Sequence, residues 1–361
     1  MNKWFSKSKK PLRKVASTLT PILIAFLIGA VAIILANENP LSTYYVLISK
    51  SLFNIKGLLK TLHYAAPLIL TGLAIAVSFK AGLFNMGIEG QLISSGFVVA
   101  VLGYRLAFLP FGILIPLLLL IGILVGVIMS LLPAFLKAKY NVNEMVVTLL
   151  LNYAIFSVLE YLTSNVEFFR DPSSGYVSTY IVGSNAIIQR IGDSKLTLFF
   201  FITIIVFVIM YFVFNRSKLG FEINAMGKNR CFAESTGMEI QKKTMYIMML
   251  SGALAGLAGA GWMLSEKFAY TLDFSGTPGL GWDGMLIALL GGHSPIGILV
   301  ASIFYAVLKT GSASVAIYSS VPAEIILLLQ ALIILFLSVK FFNKQKAAKI
   351  KKGGETDGST T

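Results

Sequence analysis

The chain has 361 residues, 56% of them hydrophobic and only 13% charged, with a formal net charge of +14 and a mean hydropathy of +0.81. A soluble domain carries about a quarter charged residues, and a charge at the bilayer centre costs roughly 2.5–3.5 kcal/mol on insertion scales, so the composition excludes an ordinary soluble protein. The lysines and arginines sit at the chain ends and in short loops between apolar runs, without the basic stripe and interleaved aromatics of a nucleic-acid binder. One cysteine, Cys231, excludes an internal disulfide. Two histidines and no CxxC or HExxH pattern predict neither a metal site nor a metal cofactor.

A membrane span needs about 20 mostly apolar residues. Such runs lie at 17–36, 62–79, 92–104, 111–132, 146–162, 196–214, 244–264, 282–291, 296–309 and 323–342. The first follows Lys3, Lys7, Lys9, Lys10, Arg13 and Lys14 and is read as an uncleaved helix rather than a signal peptide. Residues 1–16 then form a basic N-terminal segment, 17–342 the membrane domain, and 343–361 a basic tail whose Gly/Ser/Thr-rich end is expected to be disordered. Positive charge marks the cytoplasmic side. Both ends and the segment 215–243 are basic, so the number of crossings is even, and ten satisfies all three. The loop 164–195 falls outside. Lys50, Lys56 and Lys60 do not fit, and 42–60 is read as an amphipathic stretch on the outer surface. The expected fold is an all-α polytopic transmembrane bundle of about ten spans, with two interrupted or re-entrant helices in pseudo-repeated halves. Eight crossings plus two re-entrant half-helices preserve the same parity.

Two breaks interrupt the apolar pattern at membrane depth. The first runs from Lys80 to Gln91 and carries Gly82, Gly87 and Gly90 with Asn85, Glu89 and Gln91. Non-helical backbone survives there only when buried in protein or lining a wet cavity, and an ionisable residue such as Glu89 is a functional candidate. Its competing roles are a helix cap or a pair with Lys80. The second break, Thr277-Pro-Gly-Leu-Gly-Trp-Asp-Gly284, precedes a short apolar run and then Gly291-Gly-His-Ser-Pro-Ile-Gly297. Asp283 suits an N-cap, and His293 beside Ser294-Pro295 reads as a turn residue. Asn152 is a lone mid-span amide. Gly252, Gly256 and Ala260 fall four apart on one helix face, the spacing for close helix packing. In 215–243, residues 228–236 are expected to form a short helix closed by Gly237.

The residues in these breaks also carry a resemblance. Phe84-Asn-Met-Gly-Ile-Glu-Gly-Gln91 resembles the FNxGxEGQ signature of permease subunits in bacterial ABC importers of the nucleoside type, within the branched-chain amino acid and simple-sugar permease family. Ser217–Asn229 with Ala233 and Gly237-Met-Glu-Ile240, Leu250–Gly259, and Gly281–Gly292 with Pro295-Ile-Gly297 are similar to later segments of that family, in the same order. Asn224, Lys228 and Arg230 depart from its usual Arg, Glu and Pro. The resemblance implies a nucleoside permease that works by alternating access in the bacterial cytoplasmic membrane. It implies a second homologous permease subunit, a cytoplasmic ABC ATPase and an extracellular substrate-binding lipoprotein as partners. With no GxxxxGK[ST] loop in this chain, hydrolysis is expected on the ATPase, and this subunit is not an enzyme. The expected pathway residues are Asn85, Glu89, Gln91, Asp283 and Asn152. The expected coupling residues are Glu222, Asn224, Gly227, Lys228, Asn229, Ala233, Glu234 and Gly237. A simple-sugar permease and an ion-coupled secondary transporter are the alternatives.

Overall fold

The structure, a computed structural model, describes residues 26–31, 33–35, 37–276, 279–318 and 331. The basic segments 1–16 and 343–361 and most of the runs 17–36 and 323–342 lie outside the described residues. The chain divides into one unit of residues 59–306 and another of residues 1–58 with 307–361.

Residues 26–31 and 33–35 are helical. Helix α1, Pro40–Ile48, starts where Asn39 accepts from the Leu41 N–H at 2.9 Å and Pro40 occupies the first turn, then runs into a π-helical turn at Ser49–Phe53. Helix α2, Ile55–Lys80, follows at once. The stretch 42–60 is therefore not one surface segment. Ile55, Leu58 and Leu59 carry the apolar pattern back from 62, so residues 55–60 are the first turns of a long helix. Lys50 instead lies 4.4 Å from the Tyr318 ring.

Helices α3 (Ile88–Arg105), α4 (Phe111–Tyr140), α5 (Glu144–Asn165) and α6 (Leu198–Arg216) come next. Two short helices, α7 (Lys218–Lys228) and α8 (Arg230–Ser235), lead to α9 (Ile240–Trp262), which ends in a π-helical turn at Met263–Lys267. Helices α10 (Leu280–Leu290) and α11 (Pro295–Tyr318) complete the described set. Among the described residues, six helices are long and apolar enough to cross a membrane: α2, α4, α5, α6, α9 with its π-turn, and α11. The run at 92–104 belongs to α3, whose 18 residues rise about 27 Å. The run at 282–291 belongs to α10, whose 11 residues rise only about 16 Å, half the thickness of a hydrocarbon core.

The core of the 59–306 unit is a crossing of α4 and α9 without side chains at its centre. A Cβ on Gly256 would fall against the carbonyl of Gly122, and one on Gly126 against the carbonyl of Gly252. Ala260 meets Gly122 one turn further on. Helix α3 closes the other side: Gly259 lies against the Leu92 carbonyl, and Ser95 Oγ donates to the Gly256 carbonyl at 2.6 Å. Small residues at this spacing let helix backbones touch, which is how helices gain contact where lipid tails are as apolar as leucine. Helix α9 has 83% of its most apolar stretch buried, against 22% for α5 and 28% for α6, so α9 is central and α5 and α6 peripheral.

Candidate functional site

The first break is held open by one face of α5. Glu144, Thr148 and Asn152 follow each other at helical spacing of four; the first two receive a backbone N–H from the unwound segment and the third one from the first turn of α3. Phe84 N donates to Glu144 Oε1 at 3.1 Å, Met86 N to Thr148 Oγ1 at 3.1 Å, and Gly90 N to Asn152 Oδ1 at 2.9 Å. Asn152 Nδ2 also donates to the Met86 carbonyl at 2.7 Å. Lys137 pairs with the second oxygen of Glu144 at 2.9 Å. Residues without helical bonds are thus supplied with side-chain acceptors, as buried irregular backbone requires. Two turns of α5 separate Glu144 from Asn152, so the backbone rises about 12 Å along α5 between Phe84 and Gly90 in the first turn of α3.

Glu89, on the first turn of α3, faces the second break. Its carboxylate accepts from the Gly281 N–H at 2.7 Å and from the Ser275 hydroxyl, and the same hydroxyl accepts from the Leu280 N–H at 3.1 Å. Glu89 therefore caps the N-terminus of α10 from a different helix, where a negative charge meets the positive end of the dipole. A Cβ on Gly279 would collide with this carboxylate, which is one reason that turn needs glycine. Glu89 does not pair with Lys80, whose Nζ lies 4.8 Å from the Phe214 ring. Asp283 is not the N-cap of α10, which is Gly279. It lies in the first turn, where Oδ1 accepts from the Tyr305 hydroxyl of α11 at 2.5 Å.

Asn85 and Gln91 turn inward. Asn85 Nδ2 donates to Gln91 Oε1 at 3.2 Å and to Ser251 Oγ at 2.9 Å, and its Oδ1 accepts from Gly87 N and Gln91 Nε2 at 3.0 and 3.3 Å. Ser251 passes the chain to the Ala74 carbonyl at 2.7 Å. Both amides are buried, and their bonds tie α2, the unwound segment, α3 and α9 together.

A cavity of about 380 Å³ opens beside Glu89 and Asn152, walled by Tyr153, Phe156, Tyr270 and Trp282. Of the five residues expected along a pathway, Glu89 and Asn152 line it; Asn85, Gln91 and Asp283 do not. Its remaining wall is the segment after α9, with Asp273, Phe274 and Ser275. The Thr271 hydroxyl donates to Asp273 Oδ1 at 2.7 Å.

The segment 215–243 packs on the opposite end of the break. Gly227 of α7 lies against the Lys80 carbonyl, too close to admit a Cβ. Glu222 is buried and pairs with Lys243 at 2.7 Å. Asn224 Nδ2 donates to the Gly220 carbonyl at 2.7 Å, and Asn229 Oδ1 caps α8 by accepting from the Phe232 N–H at 3.0 Å. Ala233 is buried, Lys228 and Glu234 are exposed, and Gly237 has φ of 84° just past the end of α8. His293, with φ of 55°, lies in the turn between α10 and α11, 5.7 Å from the Phe79 ring. Burial, then the nearby Lys80, pushes its imidazole below the ordinary value.

One cluster has no sequence signature. His63 of α2 is fully buried with Nε2 3.4 Å from Glu266 Oε2, while Lys195 Nζ and the Tyr64 hydroxyl both reach Glu266 Oε1 at 3.1 Å. The His63–Tyr64 pair, Lys195 and Glu266 come from three distant parts of the sequence and belong to no motif. A carboxylate two residues beyond the apolar run 244–264 was the available sign.

Residues 57–338 match the family described as branched-chain amino acid transport system / permease component. The guanosine ABC transporter permease protein NupP of Bacillus subtilis (strain 168) is 33% identical over 346 residues, covering 96% of this chain and 99% of that protein. The nucleoside ABC transporter permease protein NupB of Lactococcus lactis subsp. cremoris (strain MG1363) is 33% identical over 353 residues, covering 94% of each. The glucose ABC transporter permease protein TsgB13 of Haloferax volcanii is 31% identical over 358 residues, covering 94% of this chain and 92% of that protein. With this match over most of its length and six helices fit to cross a bilayer, the chain is a multi-pass membrane protein, a transport component rather than an enzyme, and it belongs to the branched-chain amino acid transport system permease family.

Proposed function

We propose that this chain is the transmembrane permease subunit of an ABC importer for nucleosides. The observation that carries the substrate is the cavity beside Glu89: aromatic walls from Tyr153, Phe156, Tyr270 and Trp282 suit the flat face of a base, and Glu89 and Asn152 suit ribose hydroxyls or base N–H groups. The names of the relatives NupP and NupB point the same way. The name of TsgB13 favours a second reading, a simple-sugar permease.

The chain crosses the cytoplasmic membrane ten times with both ends inside. Two crossings are discontinuous. One joins the unwound residues 81–87 to α3, and the other joins the segment after Lys267 to the half-length α10. Support for this comes from Glu89, which links the first turns of α3 and α10, and from His293 at the far end of α10, beside Phe79 near the far end of α2. Paired discontinuous helices meeting near the midplane are a recurring transporter arrangement. A second, homologous permease subunit completes the pathway. A cytoplasmic ATPase takes hold of α7 and α8 through Lys228, Asn229, Glu234 and their neighbours, and an extracellular lipoprotein delivers substrate. Gly227 against the Lys80 carbonyl gives the coupling segment a direct mechanical contact with the break.

The test is uptake of a panel of radiolabelled nucleosides, glucose and ribose into proteoliposomes carrying the assembled complex. ATP-dependent uptake of a nucleoside is the expected result. Sugar uptake without nucleoside uptake selects the second reading, and uptake that ignores ATP but follows an ion gradient removes the ABC mechanism.

A further inference from the structure

Residues 268–276, which follow the π-turn of α9, form a partition between two spaces. Its inner side, with Phe274 and Ser275, lines the cavity beside Glu89. Its other side, with Ala269 and Thr271, lines a second recess of about 650 Å³ that also takes in Tyr176, Val177 and Lys267. Leu272 and Asp273 line both. These two residues of the strap, 268–276, are thus part of the wall of both spaces.

The strap is fixed at its ends and zipped along one edge. Phe268 has φ of 60° and Gly276 has φ of 87°. For a bulky residue such as Phe268 that conformation is strained and persists only where neighbours impose it. Glu266, two residues earlier, is held by His63, Tyr64 and Lys195. Ser275 at the far end is held by Glu89. Between the ends, Val182 N donates to the Phe268 carbonyl at 2.8 Å, Thr179 N to the Tyr270 carbonyl at 3.0 Å, and Tyr270 N to Thr179 Oγ1 at 2.9 Å. Ser178 and Thr271 oppose each other as an antiparallel bridge.

We propose that residues 268–276 are the outer gate of the transport pathway, with the recess beyond them as the vestibule that a solute occupies first. The proposal rests on the transport reading and on the outward placement of the 164–195 loop. Few residues need to change conformation. Positive-φ positions bound the moving piece, and bounding positions of that kind absorb the backbone rotation in loop gates. The edge that must open consists of a few hydrogen bonds to 178–182, while Phe274, seated against Gly96, and Tyr270 are the plugs that leave the cavity with it. Glu266 is a positioning residue: it sets the hinge beside Phe268 and touches no solute. Bound substrate meets Ser275 and Glu89 together, so its arrival in the cavity competes for the contact that holds the strap at its inner end.

The test locks the strap. In a Cys231→Ser background, Ser178→Cys and Thr271→Cys are combined; opposed residues of an antiparallel pair lie about 4.5–5.5 Å apart at Cα, within the span of a disulfide. The full complex is placed in proteoliposomes of phosphatidylethanolamine and phosphatidylglycerol. Two readouts are taken, uptake of tritiated guanosine and, with Phe156→Cys added, labelling by a membrane-impermeant maleimide from outside, read at residue 156 alone by peptide mass so that the thiols at 178 and 271 do not count. Oxidation should slow both by about tenfold or more, and reduction should restore both, as expected of a gating loop. Restoration also shows that the variant is folded. Labelling that is unchanged with the cross-link formed overturns the gate, whatever uptake does, and so does failure of the pair to cross-link in folded protein. Labelling that responds to the lock while the reduced protein imports no guanosine keeps the gate and removes the nucleoside reading.

Discussion

The Glu89 carboxylate on the first turn of α3 accepts a 2.7 Å hydrogen bond from the Gly281 N–H on the first turn of α10, 192 residues later in the chain. Two helices are thereby joined at their N-termini by one side chain. Each positive helix end favours a carboxylate, and Ser275 adds a hydroxyl donor. Any motion that parts α3 from α10, or the strap from either, must exchange these bonds for others.

Glu89→Ala should reduce uptake about tenfold or more at normal protein level, because it removes the shared acceptor and leaves buried donors unpaired, about 1–3 kcal/mol each. Glu89→Gln keeps an acceptor for Gly281 and should fall between the two. The comparison is initial uptake normalised to membrane content. Unchanged uptake in the alanine variant takes Glu89 out of the pathway.

Asn152→Ala should destabilise the permease more than Thr148→Val. The first change unpairs the Gly90 N–H and the Met86 carbonyl, whereas the second removes one of two acceptors of the Met86 N–H, which keeps the Phe84 carbonyl at 3.1 Å. At about 1–3 kcal/mol per unsatisfied group, thermal unfolding in detergent should separate the two variants clearly. Equal midpoints would mean that the α5 stripe does not brace the unwound segment.

Gly237→Pro should abolish copurification with the ATPase while leaving membrane insertion intact. Proline cannot reach a φ of 84°, and it removes the N–H that Gly237 donates to the Glu234 carbonyl at 2.9 Å. The end of α8 would be rebuilt without touching a spanning helix. Normal recovery of the ATPase with the variant permease would place the coupling contact elsewhere.

His293 gives a pH signature. Burial and Lys80 lower its folded pKa from 6.5, so the unfolded chain takes up a proton as the pH falls through the ordinary value while the folded chain resists. The unfolded state then binds more protons, and stability falls with acidification. Between about pH 7.5 and 5.5, which brackets the ordinary histidine value, the parent should lose more thermal stability than His293→Gln. An identical pH slope for the two proteins would assign the loss to other groups.

Apolar length marked the long helices well, since α4, α6 and α9 are continuous runs that a bilayer needs and a sequence displays. It failed where length and depth part company. Residues 282–291 have the apolarity of a span but only 11 helical residues around them, and residues 55–60 look too polar for a helix that nevertheless begins there. The motif at Phe84–Gln91 exposed Glu89, and a lone amide exposed Asn152. Asn85 and Gln91 were equally visible, yet a string of letters does not say which amides are spent on each other. Ser275, Trp282 and the His63–Glu266–Lys195 cluster were silent because pairings across some 70 to 200 residues create them.

The bare crossing of α4 and α9 has a mechanical consequence. Where backbone rests on backbone, at Gly122, Gly126, Gly252 and Gly256, no rotamer can yield and no side chain can repack to absorb a displacement. Sliding by a fraction of a turn would drive a carbonyl into a Cα. This helix pair therefore behaves as the chassis of the protein, a fixed bearing that takes load without deforming.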